Sequence, residues 1–193
     1  MRMRRKKHRE ERLENCASIV VSDLLEYKDD ITKIFSDKKP LHMEIGCGKG
    51  QFVSEIAARN PDINYIAVEV NRNVICDACH KAQEAGLKNV VFMHCGAEIL
   101  EKYIRRGSIS RLYLNFSCPF PKNAYENRRL TNVRFLDIYS VILADGAEIH
   151  QKTDNMHFFE YSLEQYTLGG YKLKNISLDL HNSGFEGNIV TEY

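Results

Sequence analysis

Residues 44–50 read Glu-Ile-Gly-Cys-Gly-Lys-Gly, which sets Gly46, Gly48 and Gly50 at alternate positions behind a short apolar run, Leu41–Ile45. Glycines placed this way let the backbone take positive φ and let a ligand lie against it without meeting a β-carbon. The spacing excludes two common phosphate loops. A dinucleotide loop needs G-x-G-x-x-G, and counting from Gly46 puts Gln51 where the last glycine belongs. A P-loop needs Lys followed by Ser or Thr, and Lys49 is followed by Gly50. A second acid, Glu69, lies at the end of another apolar run, nineteen positions beyond Gly50. A carboxylate there accepts both hydroxyls of a ribose that bears no phosphate. Glycines against an amino-acid moiety and a carboxylate on a ribose together suit S-adenosylmethionine.

A second constellation spans residues 117–131, SCPFPKNAYENRRLT, where Phe120 and Tyr125 interleave with Lys122, Arg128 and Arg129. Aromatic rings can stack on an extruded base while cations hold phosphates, the chemistry needed to reach one nucleotide in a folded RNA; the other reading of this segment is a solvated surface loop with proline-fixed turns. Asp154, in Thr153-Asp154-Asn155, offers an N-cap for the helix behind it. Cys76-Asp77-Ala78-Cys79-His80 matches a haem-attachment pattern. That chemistry requires export, and the pattern falls inside an apolar helical face. A zinc site adding His94 and Cys95 lacks ribbon spacing. No metal is expected.

Composition sets the outer limits. Of 193 residues, 44% are apolar and 27% charged, with 11 Gly and 4 Pro, which excludes disordered and collagen-like chains. No apolar stretch approaches the ~18 residues of a membrane span. The opening MRMRRKKHREER has no apolar run behind it, so no secretory signal is expected. A cytoplasmic chain with its six cysteines reduced is the expectation. The net charge of +1 conceals an arm. Residues 1–12 hold seven of the 27 basic residues and two of the 26 acids, leaving 20 basic and 24 acidic residues elsewhere. A basic arm on a mildly acidic body fits either a solvated, frayed terminus, which charge alone favours, or a polyanionic partner met locally.

The elements that must position these groups follow from periodicity. Strands are predicted at Leu41–Ile45, Asn64–Val70, Val90–Met93, Ser110–Phe116 and Ala147–Thr153, with a final antiparallel pair at Tyr171–Leu178 and Asn188–Tyr193. Helical spacing joins Phe52, Val53, Ile56 and Ala57, then Val74, Ile75, Ala78, Cys79 and Ala82, then Phe135, Ile138, Tyr139 and Ile142, and then Phe158–Leu168. Alternating strands and helices predict an α/β doubly wound, mostly parallel open sheet of Rossmann-like type. A basic arm and lead-in segment would occupy residues 1–38, and a single domain residues 39–193. Ligands of such sheets sit beyond the carboxyl ends of the strands. The candidate positions are therefore 46–50, 69–72, 94–98, 115–131 and 153–156.

Six segments carry a resemblance: PDINYIAVEV (61–70), RLYLNFSCPFPK (111–122), RRLT (128–131), IHQKTDN (149–155), FFEYSLEQY (158–166) and LDLHNSGFEGNIVTEY (178–193). From about Pro40 onward the chain resembles the bacterial tRNA (guanine-N7-)-methyltransferases. The resemblance implies methyl transfer from S-adenosylmethionine to N7 of a guanine in the tRNA variable loop. It assigns Glu44, Glu69 and the positions of Gly96 and Cys118 to the cofactor. Lys122, Asp154 and the Thr191-Glu192-Tyr193 run go to the guanine, and Asn123–Arg129, with Asn123, Tyr125, Arg128 and Arg129, to RNA contact. Cys118 and Asp154 take the catalytic positions. Two departures stand out. The family's Ser-Asp-Pro-Trp-Pro-Lys is here Ser117-Cys118-Pro119-Phe120-Pro121-Lys122, and an Asp near the adenine is here Gly96. The partner implied is tRNA, with the chain a monomer or weak homodimer. The alternative is a tRNA-binding homologue with weakened or lost catalysis.

Overall fold

A computed structural model describes residues 11, 14–21, 27 and 30–191. Among these, six strands form one sheet: β1 (Val20–Val21), β2 (Leu41–Ile45), β3 (Asn64–Val68), β4 (Val90–Met93), β5 (Ile109–Asn115) and β6 (Leu143–Lys152). Four α-helices connect them: α1 (Gln51–Arg59), α2 (Arg72–Glu84), α3 (Val133–Ile142) and α4 (Met156–Leu168). The strand order is β1-β4-β3-β2-β5-β6, and every pairing is parallel. From β2 the chain winds one way through β3 and β4, then crosses back to build β5 and β6 on the other side. The reversal opens a crevice between the carboxyl ends of β2 and β5, where open α/β sheets place their ligands.

Alternation along the buried strands feeds two cores. Met43, Ile66, Leu112 and Leu114 face α3, whose Phe135, Leu136, Tyr139 and Ile142 are buried against them. Tyr65, Ala67, Phe92 and Tyr113 face the other way, onto Phe52, Val53 and Ala57 of α1 and Ile75, Ala78 and Cys79 of α2. Cys76 and Cys79 are thus buried side chains of α2, while His80 points outward and lies 3.4 Å from Glu84. Two of the residues in the haem-like pattern therefore serve packing, and the third does not converge with them. Among the described residues no group of three or more His, Cys, Asp or Glu could hold a metal ion. Nor does any described helix have the length and apolarity to cross a membrane.

The expected antiparallel pair at Tyr171–Leu178 and Asn188–Tyr193 does not form among the described residues. Tyr171 and Leu173, and then Ile176 and Leu178, lie two apart, but the period breaks between Leu173 and Ile176, and Leu173, Ile176 and Leu178 remain exposed. The chain bends at Asn175 (φ 52°), and the Asp179 carboxylate accepts from the Asn182 backbone and side chain in a turn. Further on, the backbone is held crosswise over the sheet. Lys152 Nζ donates to Asn188 Oδ1 at 2.8 Å and to the Ile189 carbonyl at 3.1 Å, and Gln51 Nε2 donates to the Val190 carbonyl at 3.3 Å. Those carbonyls are bonded by side chains, so no ladder runs through them. The lead-in segment, conversely, supplies β1 as an edge strand on β4 and buries Ile31 in the core.

Candidate active site

The glycine run leaves β2 and turns into α1. Gly46, Gly48 and Gly50 all have positive φ, at 79°, 56° and 74°. At Gly50 this is required twice over, because a β-carbon would lie 2.7 Å from Cβ of Ala78. The loop so folded sets α1 close on α2. Around Gly48, by contrast, a β-carbon would meet nothing within 4 Å, leaving the loop open toward the crevice.

Glu69, just past β3, shapes this loop from the adjacent strand. One carboxylate oxygen accepts the Gly48 N–H at 3.0 Å and the other accepts the Asn71 N–H at 2.8 Å. Glu44 lies deeper, 2% exposed, and accepts from Asn115 Nδ2 at 3.0 Å. Burial pushes its carboxyl up to about 8, against the opposing pulls of Asn115, the Lys152 ammonium and the Val53 amide. Three buried polar atoms at this end of β2 and β5 make no hydrogen bond among the described residues: Glu44 Oε2, Asn115 Oδ1 and Ser117 Oγ. Buried polar groups left unpaired cost free energy comparable to a lost hydrogen bond. Acceptors of this kind beside an open glycine turn suit an ammonium-bearing ligand, and the residues present therefore fit the amino-acid end of S-adenosylmethionine. Asn115 and Ser117 fall inside the candidate stretch 115–131 but received no role from the sequence, and Lys152 lies one residue short of the stretch 153–156. The available signal is a polar residue closing an otherwise apolar strand.

The other wall is the loop after β5. Phe116 and Phe120 hold positive φ, at 48° and 40°, an unfavourable region for bulky side chains that surrounding contacts must enforce. At Phe116 the backbone N–H donates to the Lys152 carbonyl at 2.8 Å, and around Phe120 Arg129 supplies the contacts. Its Nε donates to the Pro119 carbonyl at 2.9 Å and its Nη2 to the Phe120 carbonyl at 3.1 Å, with the guanidinium 4.2 Å over the Tyr161 ring of α4. Arg129 is 8% exposed, so the residue expected at the RNA instead clamps the loop from inside. Asn132 Nδ2 in turn donates to the Tyr161 hydroxyl at 2.6 Å, and Thr131 and Ser162 share a hydrogen bond of 2.9 Å. Arg128 projects outward, 4.6 Å over Phe120 and 5.7 Å from the Tyr125 ring centroid, the interleaving that the sequence foreshadows. Cys118, Lys122, Asn123 and Tyr125 are exposed on the same loop.

Asp154 is exposed beyond β6 and does not cap α4; Asn155 does, accepting the Phe158 N–H at 2.8 Å. Its carboxylate is therefore available to a ligand. Thr191 follows the Val190 carbonyl that Gln51 anchors at the start of α1. Gly96 opens a 3-10 turn at the end of β4. Glu192, Tyr193 and the basic arm, apart from Glu11, lie outside the described residues.

A sequence-family model described as "Putative methyltransferase" matches residues 38–193. A Bacillus velezensis protein named tRNA (guanine-N(7)-)-methyltransferase is 47% identical over 193 residues, covering 100% of this chain and 89% of that one. A Streptococcus pneumoniae protein of the same name is 46% identical, covering 100% and 92%. The chain belongs to the bacterial tRNA (guanine-N7)-methyltransferase family. Solved structures bear on the fold alone. An antibiotic-related methyltransferase superposes with a TM-score of 0.57 at 15% identity, over 90% of this chain and 79% of its own. An S-adenosylmethionine-dependent methyltransferase from Aquifex aeolicus gives 0.55 at 14% identity, over 88% and 92%. Both share the Rossmann-like architecture.

Proposed function

We propose that this chain transfers a methyl group from S-adenosylmethionine to N7 of a guanine in the variable loop of tRNA. The observation that carries this reading is the similarity from end to end, 47% identity across all 193 residues, to a protein bearing that name. The end-to-end similarity to proteins of that name lends the alternative of an inactive homologue no support. When bound, S-adenosylmethionine supplies an electrophilic methyl on a sulfonium.

The chain's own residues then have positioning to perform. Glu44 and the Gly46–Gly50 turn hold the amino-acid end, and Glu69 accepts the ribose hydroxyls. Lys122, Asp154 and the Thr191–Tyr193 run place the guanine, and Arg128, Tyr125 and Asn123 meet the RNA around it. Guanine N7 presents a lone pair and no proton, so no residue need act as a general base. Positive charge passes from sulfur to purine, and orientation alone is worth effective molarities on the order of 10⁵ M or more. The cysteine at position 118 is compatible with this chemistry because no proton moves there. The work is carried out in the cytoplasm by a monomer or weak homodimer without a metal.

The test is incubation of the purified chain with methyl-labelled S-adenosylmethionine and unmodified tRNA. Label in 7-methylguanosine after nuclease digestion is the expected result. Tight tRNA binding with no label in the RNA would overturn the reading.

A further inference from the structure

Sheet order dictates where the parts of the donor must lie. Its amino-acid end belongs over the glycine turn at β2 and its ribose at Glu69 on β3. The next strand outward is β4, so the base falls over residues 94–98. Three features of this structure meet there. Val70, immediately after Glu69, is an apolar side chain left 71% exposed, and His94 Nε2 lies 3.1 Å from its carbonyl oxygen. The Val70 side chain is thus an exposed apolar surface whose backbone is fixed by His94. Gly96 offers no side chain at all. Into the space a side chain at Gly96 would fill folds the carboxylate of Glu98. A β-carbon on Gly96 would collide with Glu98 Oε2 and would lie 3.4 Å from its Cδ. The other oxygen, Oε1, is 3.9 Å from Arg134 Nη2 on α3, a half-exposed ion pair.

We propose that Glu98 is the specificity-determining residue of the base pocket: its carboxylate, standing in the volume vacated by Gly96, accepts the exocyclic 6-amino group of adenine. Val70 supplies the face on which the ring rests. A carboxylate there rewards an N–H donor and penalises a carbonyl at the same ring position, so it distinguishes adenine from hypoxanthine. Acid at position 96 and acid at position 98 are then two routes to one contact. Gly96 has φ −85° and ψ 160°, ordinary extended backbone that an aspartate adopts without strain. Only the flexible end of Glu98 obstructs a side chain there.

The inference rests on the donor-site reading above, and calorimetry separates the two. The purified chain is titrated with S-adenosylhomocysteine and with its hypoxanthine counterpart, S-inosylhomocysteine. The wild type is expected to prefer the adenine compound by about 10- to 100-fold, the range of one charge-assisted hydrogen bond. Glu98→Gln, whose amide both donates and accepts, should bring the two affinities to within a few-fold. Gly96→Asp combined with Glu98→Ala should restore the adenine preference. If the wild type binds neither compound, the donor-site reading itself fails. If it binds the adenine compound and Glu98→Gln keeps the full preference, the role of Glu98 is overturned while the site stands.

Discussion

Replacing Glu44 with glutamine has two measurable consequences, both following from its burial. The carboxyl is raised from an ordinary 4.5 to about 8 because the folded protein desolvates it. A group whose folded value exceeds its unfolded value contributes full stability below the unfolded value. That contribution is lost as pH rises through the folded value, because only the unfolded chain ionises in between. Each pH unit in the window is worth about 1.4 kcal/mol, so the passage from 4.5 to 8 costs the free protein up to about 5 kcal/mol. Against a total stability of roughly 5–15 kcal/mol this is a large share. Urea denaturation of wild type and Glu44→Gln at pH 5 and pH 8.5 measures it. The wild type should lose on the order of 4 kcal/mol relative to the variant between the two conditions. Binding of a cationic ligand to the ionised carboxylate should also release a proton near pH 7, visible in calorimetry as buffer-dependent heat and absent in the variant. Parallel pH profiles for the two proteins would refute the placement of a neutral, buried Glu44 at the heart of the site.

Other substitutions probe the two walls separately. Cys118→Asp should raise kcat/KM for tRNA by about 10- to 100-fold if a carboxylate there would hold the guanine edge. Asp154→Ala should lower turnover by a similar factor in a methyl-transfer assay while donor binding, read by calorimetry, is unchanged. Arg129→Lys loses the forked grip on the Pro119 and Phe120 carbonyls, so kcat/KM should fall by about tenfold or more with donor affinity retained. Gly50→Ala forces a β-carbon to 2.7 Å from Cβ of Ala78 at φ 74° and should cost about 1–3 kcal/mol in denaturant stability.

The glycine turn after β2 and the acid beside it were legible in the sequence because they depend on local spacing. Glycines at alternate positions and an acid ending the next strand are readable without coordinates, and β2 and β4 fall where periodicity puts them. The loop after β5 was legible by residue type but not by the placement of each side chain. A guanidinium in a basic loop reads as a phosphate ligand, yet Arg129 spends its donors on backbone carbonyls, which no side-chain pattern reveals. The C-terminal segment misled for a related reason. Apolar residues spaced two apart, Tyr171 with Leu173 and Ile176 with Leu178, signal a strand only if a neighbour completes its ladder, and Lys152 and Gln51 bind the carbonyls of Ile189 and Val190 instead. β1 was missed because two valines carry no period. Glu98 could not be distinguished from any surface acid until its carboxylate was seen folded over Gly96.

The most direct test of the account is the identity of the atom that receives the methyl group. Methylation at N7 weakens the guanine ring's attachment, so borohydride reduction followed by aniline cleaves the RNA chain at the modified nucleotide. After reaction with S-adenosylmethionine and unmodified tRNA, cleavage should appear at one guanine in the variable loop. Incorporated methyl without any such cleavage would place the label on another atom and contradict the account.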